Sequence, residues 1–161
     1  MSDKITPCLW FDDRADEAAN FYCSIFKNSQ ILETSHYGEG GPQPAGTVLM
    51  VVFEIDGQKF QLLNGGQADY SFNESISFSV SCADQAEVDF YWDRLTEDGG
   101  EPGPCGWLKD KYGLSWQIVP QQLPELLADP DPKRAQAAMQ CMMSQSKIIV
   151  ADVKAAADAA S

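Results

Sequence analysis

Apolar and polar residues follow one another along the first half of the chain with two different periods, which predict its elements. The predicted strands are residues 4–11, 30–37, 47–55 and 58–64. Apolar residues at helical spacing predict a helix over 15–26. Asp56-Gly57 predicts the hairpin turn between the last two strands. The order is therefore strand, helix, strand, strand, strand.

The second half of the chain repeats this order. Four serines alternate with apolar residues over 74–82, which predicts a strand with one apolar face and one hydroxyl-lined face. The other predicted elements are a helix at 85–98 and strands at 105–110 and 114–119. Asp110 and Gly113 predict the turn between those two strands.

Two short matches indicate that the halves are copies of one unit. The Phe-Tyr pair at 21–22 recurs at 90–91, an offset of 69 residues, and the same offset places Thr6 on Ser75.

The end of each half supports the same interpretation with a shorter offset. An aromatic-Gln-aliphatic-aliphatic run occurs at 60–63 and at 116–119, which pairs Gln61 with Gln117. The offset is shorter because the first half carries an additional loop of glycines and prolines at 38–46. Together the matches predict a duplicated βαβββ unit.

The remaining residues predict a helical tail, with helices at about 132–144 and 149–160. We therefore predict one α+β domain over residues 1–161, in which two tandem βαβββ modules form an open, barrel-like cleft. Its parts are module one at about 4–66, module two at about 74–120 and the helical C-terminal tail at about 121–161.

Composition excludes some classes of binding partner but does not identify a partner. The chain has 161 residues and a formal net charge of −13, so nucleic acid and anionic membranes are not expected as partners. The number of cysteines is five, which is odd, and they form no CxxC pair. No basic and apolar leader is evident at the start. We therefore expect a reducing, cytoplasmic location.

The candidate ligand-binding residues are polar or aromatic side chains on strands whose neighbouring positions are apolar. If the two half-sheets face each other, these side chains converge on one cleft, where a small ligand can bind. Trp107 can stack on a planar or apolar ligand. The alternative is that they are ordinary residues of a half-solvated sheet or of the core. The candidates are Thr6, Cys8, Gln61, Ser75, Ser77, Trp107 and Gln117.

Several segments resemble the vicinal oxygen chelate superfamily, which includes glyoxalase I, extradiol dioxygenases and bleomycin- and fosfomycin-resistance proteins. Within it the sequence is similar to the PhnB-like branch, whose domain is often labelled 3-demethylubiquinone-9 3-methyltransferase-like. The segments are PCLWFDDRADEAANFYCSIF (7–26), FQLLNGG (60–66), SISFSVSCADQAEVDFYWDRL (75–95), CGWLKDKYGLSWQIVP (105–120) and DPDPKRAQAAMQCMM (129–143).

The resemblance implies a homodimer and a divalent-metal site at four positions of this chain. Those positions fall near Thr6, Gln61, Ser75 and Gln117, where metal-using members carry His and Glu. None of these side chains is ionised here, and the only histidine of the chain is His36. Divalent cations prefer carboxylates and imidazoles, so we expect no bound metal and no other cofactor.

Two functions follow from these observations. The first is a small-molecule-binding protein without a metal. The alternative is a glyoxalase-like lyase or another metal-assisted enzyme of the same superfamily, and no catalytic residue is assigned for it. Methyl transfer is not expected, because the glycines at 38, 40 and 41 precede prolines and a strand instead of opening a helix. Neither the ligand nor a reaction can be read from the residues.

Overall fold

The computed structural model describes residues 4–161, which divide into a first compact unit that ends at Ser71 and a second unit, Phe72–Ser161. Each unit contains one four-stranded sheet, and the described residues include five α-helices. The predicted α+β class is confirmed. None of the helices within 4–161 combines the length and the apolar character needed to cross a membrane.

The first unit has the predicted βαβββ order. Its elements are β1 (Cys8–Phe11), α1 (Ala15–Ile25), β2 (Ser29–His36), β3 (Val48–Ile55) and β4 (Gln58–Asn64). The strand order in the sheet is β1-β4-β3-β2, with β1 parallel to β4 and the other neighbours antiparallel. Parallel neighbours need a long crossover, and the chain from α1 to β3 supplies it.

The second unit repeats this topology and adds the tail. Its elements are β5 (Ser77–Cys82), α2 (Gln85–Thr96), a 3₁₀ turn (Glu97–Gly99), β6 (Glu101–Pro102), β7 (Trp107–Lys109), β8 (Ser115–Pro120), α3 (Gln122–Leu127), α4 (Pro132–Ser144) and α5 (Val150–Ala159). Its sheet order is β5-β8-β7-β6, with β5 parallel to β8. The duplicated unit is confirmed.

Both first strands begin later than predicted, which removes two candidates from the sheets. β1 begins at Cys8, after Pro7, whose ring nitrogen has no hydrogen to donate to a ladder. β5 begins at Ser77, because Ser75 lies in an exposed turn where its N–H donates to Asn73 Oδ1 at 2.9 Å. Thr6 and Ser75 are therefore not strand residues.

The strand pairing corrects the offset between the copies. Gln61 pairs with Cys8, whereas Gln117 pairs with Ser79. Cys8 therefore corresponds to Ser79, an offset of 71 instead of 69. By the same register the counterpart of Thr6 is Ser77 and not Ser75.

The helices are also one residue out of the predicted register. The buried positions Ala18, Tyr22 and Ile25 of α1 recur 70 residues later as Val88, Trp92 and Leu95 of α2. The repeated Phe-Tyr pair is thus one residue out of the register that burial gives, and Phe90 is 40% exposed on the outer side of α2. The equivalence of the two helices is therefore shown by the spacing of their buried positions and not by identical residues.

Two short elements and one shortened strand were not predicted. β6 has only two residues and α3 only six, too few for a periodic pattern to show. The strand predicted at 105–110 begins at Trp107, because Cys105 and Gly106 have φ values of +56° and +83° and form a turn.

The tail helices pack on one another within the second unit around an apolar cluster, which we call the tail cluster. Arg134, near the start of α4, also bonds Asp129 at 2.9 Å and Asp158 of α5 at 3.0 Å. The buried members of the cluster are Leu123, Ala138, Ile148, Val153 and Ala157.

Asp110 organises the turn between β7 and β8, as predicted. Its carboxylate is 2% exposed and accepts hydrogen bonds from Tyr112 N at 2.9 Å, Leu114 N at 3.1 Å and Trp116 Nε1 at 2.9 Å. The bonds from Tyr112 N and Leu114 N close the turn. The bond from Trp116 Nε1 fixes the orientation of this buried indole. Both β7 and β8 therefore depend on this carboxylate for their register.

Replacing this carboxylate should destabilise the second unit strongly. We expect Asp110→Ala to lower the free energy of unfolding by about 3 kcal/mol, because it leaves two buried donors and one half-buried donor without an acceptor. Asp110→Asn should cost less, since its amide NH₂ faces a donor on one side only. Urea denaturation measures both. The exposed Asp93→Ala serves as control, and an Asp110→Ala loss no larger than that of the control would contradict this role.

Candidate functional site

One face of the second sheet carries polar and aromatic side chains in two adjoining rows, and we call it the polar face. Residues that pair across strands point to the same side of a sheet, and so do residues two positions apart along one strand. The opposite face, with Trp116 and Ile118, is buried on the side where α2 packs. The two rows are Ser79, Gln117 and Trp107, and Ser77, Ser115 and Lys109.

Three predicted site residues therefore lie together on the polar face, namely Ser77, Trp107 and Gln117. Gln117 Nε2 donates to Ser77 Oγ at 3.0 Å, and both residues are half-buried. This bond orients the amide of Gln117 along the sheet.

A cavity of about 530 Å³ opens on the polar face within the second unit. Trp107 lines it, and its role as a stacking residue stays a prediction. Its lining also includes Ser115, Lys109 and Glu74, together with Pro104 and Cys105 from the turn before β7. The volume lies in the range of sites for small organic molecules.

Ser115 is the most unusual residue of this lining. Its side chain is fully buried, and its hydroxyl bonds no protein group among the described residues. A buried hydroxyl without a partner carries a desolvation cost, so such groups are rare in folded proteins. Sequence reasoning missed Ser115, although it lies two positions before Gln117, on the same face of the same strand.

An ion pair stands beside this hydroxyl on the lining. Lys109 Nζ lies 2.6 Å from Glu74 Oε1. Their hydrogen bond lowers the pKa of the Glu74 carboxyl and raises the pKa of the Lys109 amine. Both groups therefore remain charged around neutral pH and neutralise each other. Neither residue was predicted, because their meeting depends on the turn that precedes β5.

The first unit brings Cys8 and Gln61 together as register partners on one face of its sheet. Partial burial raises the pKa of the Cys8 thiol, and burial raises that of Cys82 to about 12. Both remain protonated at neutral pH, so neither is an activated nucleophile. Thr6 precedes the strand and Ser75 lies in a turn. The cleft that would join both sets stays a prediction.

The side chains at the metal-binding positions of the superfamily do not fit a divalent cation. They are hydroxyls and amides, and the amide of Gln117 already donates to Ser77. Within residues 4–161, His, Cys, Asp and Glu form no group of three that could hold a metal ion. His36, on β2, is exposed.

Comparisons with known proteins match this architecture. The family model described as 3-demethylubiquinone-9 3-methyltransferase matches residues 3–119. The solved structure of a PhnB protein from Bacillus cereus is 36% identical, with a TM-score of 0.66, and the match covers 73% of this chain and 99% of that chain. The match to the family model ends before the segment 129–143, whose resemblance therefore lies outside it.

More distant solved structures share the fold. Protein PA1353 from Pseudomonas aeruginosa is 18% identical, with a TM-score of 0.62, over 74% of this chain and 98% of that chain. The fosfomycin resistance protein FosX from Listeria monocytogenes, solved with Mn(II) and sulfate, is 20% identical, with a TM-score of 0.51, over 73% and 91%. None of the curated proteins matches. The chain belongs to the PhnB-like 3-demethylubiquinone-9 3-methyltransferase domain family of the vicinal oxygen chelate superfamily.

Proposed function

We propose that this protein binds a small organic molecule without the help of a metal, in the cavity on the polar face of its second unit. One observation carries the proposal: Trp107 lines a cavity of about 530 Å³ whose volume suits a small organic molecule. A ligand that stacks on Trp107 would fill this cavity.

The lining favours a planar, mainly apolar ligand. Trp107 supplies the flat apolar surface, and Pro104 adds to the wall. Lys109 is paired with Glu74, which leaves Glu101 as the remaining charged group of the lining. Recognition should therefore depend on shape and apolar contact more than on charge. Concave sites with few placed polar groups bind their ligands in this way.

A metal-assisted enzyme of the same superfamily is the alternative that the first experiment separates from this proposal. The FosX structure from Listeria monocytogenes was solved with Mn(II), but at 20% identity the likeness concerns the fold alone. The donors at the corresponding positions of this chain are uncharged. This difference supports binding without a metal.

We also propose a homodimer in a reducing, cytoplasmic compartment. The dimer is supported by the family, in which dimers are common, and by two methionines of α4. Met139 is 40% and Met143 63% exposed, whereas Met142 packs against the tail cluster. The location is supported by the cysteines, all five of which lie within residues 4–161 and are free thiols.

Metal analysis distinguishes the two functions directly. The purified protein should contain no stoichiometric metal, and titration with nickel, zinc or manganese should give no saturable one-to-one binding below the millimolar range, because no ionised ligand is present. Elemental analysis and calorimetry measure this. Stoichiometric metal that Gln117→Ala loses would contradict the proposal.

Substitution of Trp107 should remove ligand binding and leave the fold intact. In a thermal-shift screen of uncharged planar aromatic compounds, we expect binders to raise the Tm of the wild type but not of Trp107→Leu. Loss of the stacked surface should weaken binding at least about tenfold. Phe90→Leu is the matched control, because Phe90 is an exposed aromatic residue on α2. A screen without any binder, or equal shifts in both variants, would contradict the site.

Ser115→Ala tests whether the buried hydroxyl has a hydrogen-bond partner in the folded protein. It removes a buried hydroxyl without breaking a protein hydrogen bond, so the free energy of unfolding should stay the same or rise by up to about 1 kcal/mol. Ser77→Ala, the control, loses the bond from Gln117 and should cost about 1 kcal/mol. Urea denaturation checks both values. A loss of more than about 1 kcal/mol in Ser115→Ala would show that the hydroxyl already has a partner.

A further inference from the structure

One wall of the cavity is held in place by the tail. The turn before β7 contributes Gly103, Pro104 and Cys105 to the lining. Residues 145–148, in the connection between α4 and α5, run beside this turn. Cys105 N donates to Gln145 O at 2.8 Å, and Ser146 Oγ donates to Gly103 O at 2.6 Å.

The backbone of this turn needs such support. Cys105 has a φ of +56°, in the left-handed region that side chains other than glycine rarely adopt. The next residue, Gly106, has a φ of +83° and donates to Ser146 O at 2.8 Å. A Cβ at Gly106 would lie 3.0 Å from Ile118 O and 3.1 Å from Ile148 Cγ1. The turn is therefore packed between β8 and the tail connection.

The tail connection is itself anchored to α2. Gln85 Nε2 donates to Ile148 O at 3.0 Å, and Val150 N donates to Gln85 Oε1 at 2.9 Å. Lys147 Nζ lies 2.9 Å from Asp89 Oδ1. Ile148 is 1% exposed within the tail cluster. The connection is therefore a fixed support that joins α2 to the cavity wall.

The segments involved differ in their relation to the family. The cavity wall lies within residues 3–119, which the family model matches, whereas residues 145–148 lie beyond it. The bonds to the wall thus come from a part of the chain that the family model does not include.

We propose that residues 145–148 determine which ligands the cavity admits, by fixing the turn 103–106, and that Ser146 is the positioning residue. The consequence for ligands depends on the proposed function, whereas the fixation of the wall does not. Ser146 contributes both a side-chain and a backbone bond to the turn. Loss of its hydroxyl should loosen the wall and leave the helices on either side in place.

Alkylation of Cys105 tests the fixation without any ligand. Cleavage after lysine and arginine places each of the five cysteines on a different peptide, so mass spectrometry follows each thiol separately. We expect Ser146→Ala to raise the rate of Cys105 alkylation by iodoacetamide about fivefold. The rate at the exposed Cys8 should not change. Ser146→Thr, which keeps the hydroxyl, should restore the wild-type rate at Cys105.

Ser144→Ala is the matched control, because the Ser144 hydroxyl bonds Cys141 O within α4 and does not touch the turn. An unchanged Cys105 rate in Ser146→Ala, or an equal rise in Ser144→Ala, would overturn the proposal. A Tm within a few degrees of the wild type in all three variants would show that the change at Cys105 is local.

Titration with fluorescent 1-aminoanthracene, a planar aromatic amine, tests the consequence for ligands. Ser146→Ala should weaken its binding at least about threefold, and Ser144→Ala should not. Equal affinity in both variants would overturn the role in ligand selection. Failure of 1-aminoanthracene to bind the wild type would count against the proposed function. The alkylation rates alone would then test whether Ser146 fixes the turn 103–106.

Discussion

The parallel pairing of the first and last strand in each unit is the constraint on which the rest of the structure depends. β1 pairs with β4 and β5 with β8, and each pair is reached only through a crossover that contains a helix. The helix covers one face of its sheet and buries it. The other face is left to polar side chains, and this division produces the polar face of the second unit.

The fold was predictable from the sequence because its strands alternate and its helices have apolar stripes. The sequence predicted the register between the two copies incorrectly. The Phe-Tyr match suggested an offset of 69, whereas strand pairing gives 71 and helix burial gives 70. Residue identity on an exposed helix position, such as Phe90, is under little physical constraint, so it is a poor guide to equivalence. Buried positions are constrained by packing and preserve the relation.

The candidate site was predictable only where the alternation of side chains along a strand decides which face of the sheet a residue occupies. Trp107, Ser77 and Gln117 lie on one face because they occupy strand positions of the same parity. Ser115 has the same parity but was missed, since nothing in a sequence shows that a hydroxyl is buried without a partner. The pair of Lys109 and Glu74 was missed for a different reason. The pair joins a residue of a strand to a residue of a turn. Residues in turns follow no periodic pattern, so the sequence does not show where their side chains lie.

The replacement of ionised ligands by amides and hydroxyls changes what this scaffold can use for recognition. A metal ion orients a ligand through strong, short bonds. In the proposed site without a metal, selectivity would come from shape and from few hydrogen bonds, whose strength falls steeply with misplacement. A wall turn with Cys105 in the left-handed region then needs external support. The tail connection at 145–148 supplies this support, which gives the additional helices a physical role in the proposed site.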